Sequence, residues 1–263
     1  MKIELGPSGI GGYNNAVNNL KLFKSFGFNA AEVAFTYSIY LNKDQASLIG
    51  KKARELGISL SIHGQYYINL LSEDQEKIEQ SKIRIMKAME IGTYLGAEYV
   101  CFHPGYYGLL KRDEALSRIK DEIHSMMDIR KDNNWTCAIA PEVTGRSSQF
   151  GDLDELLKIS NITKCSLVVD FAHLYARNLG NIDYDLVFEK LLKIKKIYSQ
   201  FTGIEFTEKG EKRHISLNEN FIMPFAKAIL KSKIPIRIIC ESPTPVDDSL
   251  KIQKVLKSLK SKG

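Results

Sequence analysis

Six histidine and acidic residues stand at or just after the ends of short apolar runs in this 263-residue sequence. His103 follows Tyr-Val-Cys-Phe at positions 99–102, and Glu241 follows Ile-Arg-Ile-Ile-Cys at positions 236–240. Runs of this length and composition predict buried β-strands, so each polar residue is expected where a strand ends. The six residues are His63, His103, Glu142, Asp170, His173 and Glu241.

Side chains of these types, gathered at one place, are the usual ligands of divalent metal ions. Carboxylates packed together repel one another and take up protons unless a cation neutralises them. Imidazoles and carboxylates supply the nitrogen and oxygen ligands that zinc accepts without thiolates. A carboxylate such as Glu142 could bridge two metal ions about 3.5–4 Å apart, an arrangement that hydrolyses phosphate esters. We therefore expect a metal cluster, with Glu142 as its catalytic residue.

Each of these residues also has an ordinary structural interpretation. A histidine at a strand end commonly makes hydrogen bonds at the rim of a barrel, and Asp170 is typical of the N-cap of a following helix. The repetition at five strand ends, together with His214 in a polar loop, favours the metal site. The remaining histidine, His124, lies within a predicted helix, and we interpret it as a surface residue.

Eight strand candidates alternate with longer amphipathic segments, a pattern that predicts βαβ units and a parallel sheet. The strands are predicted at residues 3–6, 31–35, 59–63, 99–103, 137–142, 167–170, 198–201 and 236–241. Helices are predicted at residues 15–26, 43–56, 72–95, 112–133, 185–197, 219–231 and 247–259.

Eight βα units predict an α/β fold with a single (β/α)8 TIM barrel, spanning residues 1–263 as one domain. Active sites of such barrels lie at the C-terminal ends of the strands, which places the metal site at that mouth. The competing fold is an open doubly wound sheet. The glycine-rich segment at residues 6–12 lacks both nucleotide-binding patterns that such sheets often carry, so we interpret it as a loop at the rim.

Composition limits the cellular context. Hydrophobic residues make up 44% of the chain, and the four cysteines are widely spaced, which is typical of buried thiols in a reducing compartment. We find no membrane-spanning segment and no signal peptide pattern, and we expect a cytoplasmic monomer. The net charge of +6 fits a polyanionic partner or a solvated surface, since much of it lies in a Lys-rich tail at residues 254–262.

Five motifs, in order along nearly the whole chain, resemble those of the endonuclease IV family. The first is Ser-Ile-His-Gly-Gln-Tyr-Tyr-Ile-Asn-Leu at residues 61–70, which carries His63. Phe-His-Pro-Gly at 102–105, Glu-Val-Thr-Gly at 142–145 with Phe-Gly at 150–151, Val-Asp-Phe-Ala-His at 169–173 and Cys-Glu-Ser-Pro at 240–243 follow. Single motifs also occur in the wider sugar-isomerase-like barrel superfamily, so the specificity lies in the combination.

The resemblance implies a zinc-dependent phosphodiesterase, an apurinic/apyrimidinic endonuclease of base-excision repair, that cuts double-stranded DNA 5′ to an abasic site. It further implies two or three zinc ions. The implied ligands are His63, His103 and Glu142 for the first ion, Glu142, Asp170 and Glu241 for the second, and His173 with His214 for the third.

Two positions depart from the family pattern, and they place the chain in a divergent, archaeal-type subgroup. Gln200 stands where the family has a histidine ligand of the second metal ion, and Lys212 stands where it has an aspartate two residues before His214. Neither side chain is a good zinc ligand. Glu205 or Glu208, from the same loop, could supply the missing carboxylate; if neither does, the third site has only two protein ligands and is weak or empty.

The resemblance also indicates how DNA would be held. Tyr66 and Tyr67 follow His63 on the loop that family members press into the base stack, which would help to flip the abasic nucleotide out. The alternative interpretation is that both tyrosines pack on the barrel rim and do not contact DNA. Lys212 and Arg213, beside His214, are the first candidates for phosphate contacts, whose affinity would fall with salt.

Two other functions fit the same barrel. A metal-dependent sugar or keto-acid isomerase or epimerase would use two strand-end carboxylates and a histidine to hold one metal ion while a proton or hydride moves. A binding module with a degraded metal site is the third possibility, and it depends on Gln200 and Lys212.

Overall fold

The computed structural model describes residues 1–261 of the chain. Its strands are β1 (Ile3–Pro7), β2 (Ala30–Ala34), β3 (Ser59–His63), β4 (Tyr99–Phe102), β5 (Gly105–Tyr106), β6 (Ala138–Pro141), β7 (Gln149–Phe150), β8 (Val168–Asp170), β9 (Ile197–Phe201), β10 (Gly203–Thr207), β11 (Gly210–Ile215) and β12 (Ile236–Cys240). Its helices are α1 (Gly12–Ser25), α2 (Lys43–Leu56), α3 (Gln75–Leu95), α4 (Arg112–Asp132), α5 (Leu153–Thr163), α6 (Phe171–Arg177), α7 (Tyr184–Lys190), α8 (Glu219–Ser232) and α9 (Pro245–Lys260).

Eight of the strands pair in parallel as two four-stranded sheets, ordered β1-β12-β9-β8 and β2-β3-β4-β6. Two isolated parallel bridges connect these sheets, Ser8 with Glu32 between β1 and β2, and Glu142 with Val168 between β6 and β8. The eight strands therefore follow one another in chain order around an α/β TIM barrel, which confirms the predicted fold class. Their C-terminal ends all point to one mouth.

The prediction missed elements that are built from polar or short segments. Helix α5 begins with a capping box, in which Asp152 and Glu155 each accept a hydrogen bond from the other's backbone N–H. The hairpin β10–β11 was predicted only as a polar loop, because its strands carry charged side chains on their exposed face. The helix predicted to reach residue 197 ends at Lys190 instead, and Ile197 already belongs to β9.

The bottom of the barrel, opposite the mouth, is closed by a buried ion network. Arg237 on β12 is 0% exposed, and its guanidinium donates hydrogen bonds to Glu4, over 2.7 Å, and to Glu98. Lys196 also contacts Glu4, at 2.8 Å. A buried charge is tolerated only when its partners replace water, so this end of the barrel serves stability.

The last helix, α9, contains most of the Lys-rich segment that we expected as a tail. Residues 262 and 263, the end of that segment and of the predicted single domain, lie outside the described residues. The extent of the domain stays a prediction. None of the helices within residues 1–261 combines the length and the apolar character that a membrane span requires.

Candidate metal centre

A cavity of about 440 Å³ opens at the mouth of the barrel. The predicted residues His63, His103, His173, His214 and Glu241 line it. Glu142 and Asp170 lie beneath these side chains and are 0% exposed. The structure therefore brings all seven predicted ligands to one place, as expected for side chains at the ends of successive barrel strands.

Glu142 is the centre of this group. Its Oε1 lies 3.1 Å from Nε2 of His103 and 3.2 Å from Nδ1 of His173. Its Oε2 lies 3.6 Å from Nε2 of His63, and no group in the described part of the chain makes a hydrogen bond to it. Burial opposes the ionised carboxylate, but the neighbouring histidines outweigh burial and hold the pKa of Glu142 well below its ordinary value. An anionic oxygen without a partner suits a cation.

Asp170 combines the two interpretations that its position in the sequence left open. Its Oδ1 accepts a hydrogen bond of 2.8 Å from the backbone N–H of His173, which caps helix α6. Its Oδ2 is buried, and it too has no hydrogen-bond partner among residues 1–261. One oxygen therefore begins the helix, and the other remains available as a ligand.

Backbone carbonyls orient three of the histidine rings. Nδ1 lies 2.7 Å from the Gly64 carbonyl in His63, 2.9 Å from that of Val143 in His173 and 3.2 Å from that of Glu241 in His214. A carbonyl accepts from an Nδ1–H, so each ring presents the lone pair of Nε2 to the cavity, the arrangement common in metal-binding histidines.

The Nε2 atoms of His173 and His214 face each other at 3.4 Å. Two lone pairs at this distance repel each other unless a proton or a metal ion lies between them. Asp170 and Glu211 outweigh burial and raise the pKa of His173, whereas burial and the charge of His173 lower the pKa of His214. The pair therefore attracts one positive charge.

The carboxylate beside His173 and His214 is that of Glu211, and not that of Glu205 or Glu208 as predicted from the sequence. Its Oε2 lies 3.3 Å from Nε2 of His173, and its Oε1 lies 3.9 Å from Nε2 of His214. Glu205 instead pairs with Lys212 and Arg213 on the other face of the hairpin, and Glu208 is exposed in the turn. The structure therefore corrects that expectation.

A β-bulge explains how Glu211 reaches the cavity. The register of the hairpin pairs His214 with Ile204 and Glu211 with Phe206, and shifts between Glu205 and Phe206, so that Lys212 is the extra residue of β11. Side chains two apart share a strand face, and one inserted residue extends that spacing to three. Glu211 and His214 consequently lie on one face, while Lys212 points to solvent.

Gly145 of the Glu-Val-Thr-Gly motif makes room for this arrangement. A Cβ at position 145 would lie 2.6 Å from Cβ of Glu211 and 3.0 Å from Cδ2 of His173. The backbone N–H of Glu211 donates to the carbonyl of Gly145 over 3.0 Å. The motif therefore joins the loop after β6 to the hairpin through a position that only glycine fits.

A second polar group, beside Glu241, contains Glu32, which was not among the residues predicted from the sequence. Gln200 donates a hydrogen bond of 2.7 Å from Nε2 to Oε1 of Glu241. Glu32 on β2 is 0% exposed and accepts a hydrogen bond of 2.8 Å from Ser8. The sequence did indicate Glu32, since it is the one charged residue in the apolar run Ala-Ala-Glu-Val-Ala at residues 30–34.

Negative charge accumulates in this second group. Burial and the charge of Glu142 raise the pKa of Glu241 to about 8. Burial and the charge of Glu241 raise the pKa of Glu32 well above its ordinary value. Buried carboxylates with raised pKa values require protons or a cation to neutralise them, and the donor atoms here are those that divalent metals accept.

The four residues predicted to contact DNA are exposed. Tyr66 borders the cavity and packs edge-on against His63, with ring centroids 5.7 Å apart. Tyr67 is 61% exposed. Lys212 and Arg213 lie on the outer face of the hairpin, where both contact Glu205. Of the basic side chains, Arg146 lines the cavity itself.

Comparisons with known proteins agree with this architecture. Residues 20–262 match the family described as the xylose isomerase-like TIM barrel, and the chain belongs to that family. An uncharacterized protein of Methanocaldococcus jannaschii is 35% identical over 255 residues, which cover 90% of each chain. A probable endonuclease 4 of Chlorobium luteolum is 28% identical over 120 residues, or 43% of this chain and 42% of that protein. Endonuclease 4 proteins are therefore among its distant relatives, in agreement with the resemblance.

Solved structures of two functional classes share the fold. Endonuclease IV from Thermus thermophilus superposes with a TM-score of 0.73 at 18% identity, covering 100% of both chains. A D-tagatose 3-epimerase-like protein superposes with a TM-score of 0.74 at 19% identity, covering 99% of this chain and 97% of that one. At such identities the likeness establishes the fold alone, and the side chains at the mouth must distinguish the functions.

Proposed function

We propose that this protein is a zinc-dependent endonuclease that hydrolyses the phosphodiester 5′ to an abasic site in double-stranded DNA. The observation that carries the proposal is the set of four histidines around the cavity, three of which are held by backbone carbonyls with Nε2 directed inward. Carboxylates alone would suit magnesium or manganese, whereas several imidazoles beside a bridging carboxylate suit zinc.

The residues present fit a cluster of two or three zinc ions. His63, His103 and Glu142 would hold one ion, and Glu142, Asp170 and Glu241 a second. His173, His214 and Glu211 would hold the third. When bound, zinc lowers the pKa of water and stabilises negative charge on phosphate oxygens. The partnerless oxygens of Glu142 and Asp170 within residues 1–261 support this fit.

The protein's own groups would then bind and orient the substrate. Glu142 has the central position, and its lowered pKa keeps it ionised. As a carboxylate it would accept a hydrogen bond from the attacking water and orient it. Arg146, at the cavity wall, neutralises the phosphate. Tyr66 and Tyr67, which are 59% and 61% exposed, are free to stack against bases beside the lesion.

The sugar or keto-acid epimerase remains the second candidate. The carboxylates of Glu142, Asp170 and Glu241 would suit a single metal ion, and the fold is shared with such enzymes. The amide of Gln200 occupies Oε1 of Glu241, which weakens that site. Metal analysis separates the candidates, since the endonuclease requires two or three zinc ions per chain and the epimerase one manganese or magnesium ion.

The decisive assay is incision of a duplex that carries one abasic-site analogue, with zinc present and over a range of salt concentrations. We expect cleavage by the unaltered protein and none by Glu142→Gln. His124→Gln, which alters a histidine on helix α4 outside the cavity, is the matched control and should cleave normally. Absence of cleavage by the unaltered, zinc-loaded protein at every salt concentration would overturn the proposal.

A further inference from the structure

Gln200 lies on β9, where the resemblance to endonuclease IV implies a histidine ligand. Its Nε2 donates to Glu241 and, as an amide nitrogen, has no lone pair for a metal ion. The sulfur of Cys101, on β4, lies 3.5 Å from that nitrogen. Cys101 is therefore next to the place where the histidine ligand is missing.

The surroundings of Cys101 resemble those of a ligand. Its Sγ, an oxygen of Glu142 and a ring nitrogen of His63 all lie within 4.8 Å of one another. Oε2 of Glu142 is the buried oxygen for which the described residues provide no hydrogen-bond partner. The thiol donates only weak sulfur hydrogen bonds, at 3.4 Å to the carbonyl of Ile62 and 3.6 Å to Oε2 of Glu32. A thiol, an imidazole and a free carboxylate oxygen thus converge on one volume.

The other cysteines have no such setting. All four cysteines of the chain are buried and free of disulfides. Among the described residues, Cys101 alone of the four belongs to a group of metal-ligating side chains. Burial alone therefore does not explain its position, and Cys165, which precedes β8 at the other end of the barrel, offers a matched control.

We propose that Cys101 is a thiolate ligand of the metal ion held by His63 and Glu142, beside the position where the histidine ligand of the second ion is absent. The thiol proton passes to solvent as the metal binds. A thiolate selects zinc or cobalt over magnesium or manganese, so the same residue also determines which metals the protein accepts. The inference rests on the metal binding proposed above, but not on the identity of the substrate.

X-ray absorption of the zinc-loaded, unaltered protein tests the ligand directly. We expect a sulfur neighbour at about 2.3 Å from zinc, in addition to nitrogen and oxygen neighbours. Cobalt-loaded protein should show a near-ultraviolet sulfur-to-cobalt charge-transfer band. The band should disappear in Cys101→Ser, with the visible cobalt bands retained, and should persist in Cys165→Ser.

The outcomes separate this inference from the proposed function. Nitrogen and oxygen neighbours alone around zinc, or a charge-transfer band that survives Cys101→Ser, would overturn the thiolate ligand and leave the endonuclease intact. A protein that retains neither zinc nor cobalt would overturn both. Sulfur ligation without incision of abasic DNA would overturn the endonuclease alone. If Cys101→Ser does not fold, the absorption measurement on the unaltered protein still decides.

Discussion

Replacement of Glu211 by glutamine should remove the third of the proposed metal ions while leaving the barrel folded. Glu211 is the carboxylate beside His173 and His214, at 3.3 and 3.9 Å from their Nε2 atoms. The variant keeps the shape of the side chain but removes the carboxylate charge that faces Nε2 of both imidazoles. Changes one shell further out commonly cost 10–100-fold in metal affinity. We therefore expect a loss of at least about 100-fold, or about 2.8 kcal/mol.

The assay is equilibrium dialysis against graded free zinc, followed by metal analysis of the protein. At a zinc concentration that just saturates the unaltered protein, Glu211→Gln should contain one ion fewer. Glu205→Gln is the control, because Glu205 lies on the same hairpin but pairs with Lys212 and Arg213 in solvent. Deletion of Lys212 provides a second control: it removes the bulge and leaves Glu211 and His214 on one strand face, so zinc content should persist.

Equal zinc contents in Glu211→Gln and the unaltered protein would refute the assignment of Glu211. Loss of an ion in Glu205→Gln would restore Glu205, one of the two residues expected from the sequence. Loss of an ion on deletion of Lys212 would show that the bulge does more than set the strand face.

Four further predictions concern the glycine behind this site, the ion network at the bottom of the barrel and the metal itself. Gly145→Ala should displace Glu211 and lower zinc content by one ion, because a Cβ would lie 2.6 Å from that of Glu211; unchanged content would argue against the close approach. Arg237→Met should lower the free energy of unfolding in urea by about 1.5–3 kcal/mol, since it removes the buried charged hydrogen bonds to Glu4 and Glu98 and leaves these carboxylates to Lys2 and Lys196; a loss below about 1 kcal/mol would contradict this. Burial would raise the pKa of Glu4, but Arg237 and two lysines lower it from 4.5 to about 2. Up to about 3 kcal/mol of the free energy of unfolding should therefore be present above pH 4.5 and lost as the pH falls toward 2. The loss should be smaller in Arg237→Met. Chelation should lower the melting temperature of the protein by an amount that depends on the free zinc concentration, because a ligand bound only to the folded state stabilises that state. Identical melting temperatures with and without chelator would exclude tight binding of zinc.

Much of the site was predictable because a strand end is a local feature. His63, His103, Glu142 and Glu241 follow apolar β-branched runs, and parallel strands of a barrel bring such ends together whatever the intervening helices are. Asp170 was predictable both as an N-cap and as a ligand, and the structure assigns one oxygen to each. These inferences needed only the order of apolar and polar residues.

Glu211 could not be chosen over Glu205 and Glu208 from spacing, because the answer depends on a single bulged residue in a hairpin. A regular strand would place residues two apart on one face, and the register shift beside Lys212 changes that to three. The charges of Glu205, Lys212 and Arg213 also misdirect the choice, since they neutralise one another at the surface.

The sequence by itself determined the alternation of strands and helices, the barrel class and the residues at the mouth, because these follow from local hydrophobic periodicity. Only the tertiary structure decided which carboxylate faces His173 and His214, and which side chains stand beside Gln200. Cys101 and Glu32 come from different strands, 69 residues apart, yet their side chains meet in the barrel interior. Such contacts depend on strand register and side-chain direction across the barrel, and no local pattern in the chain encodes them.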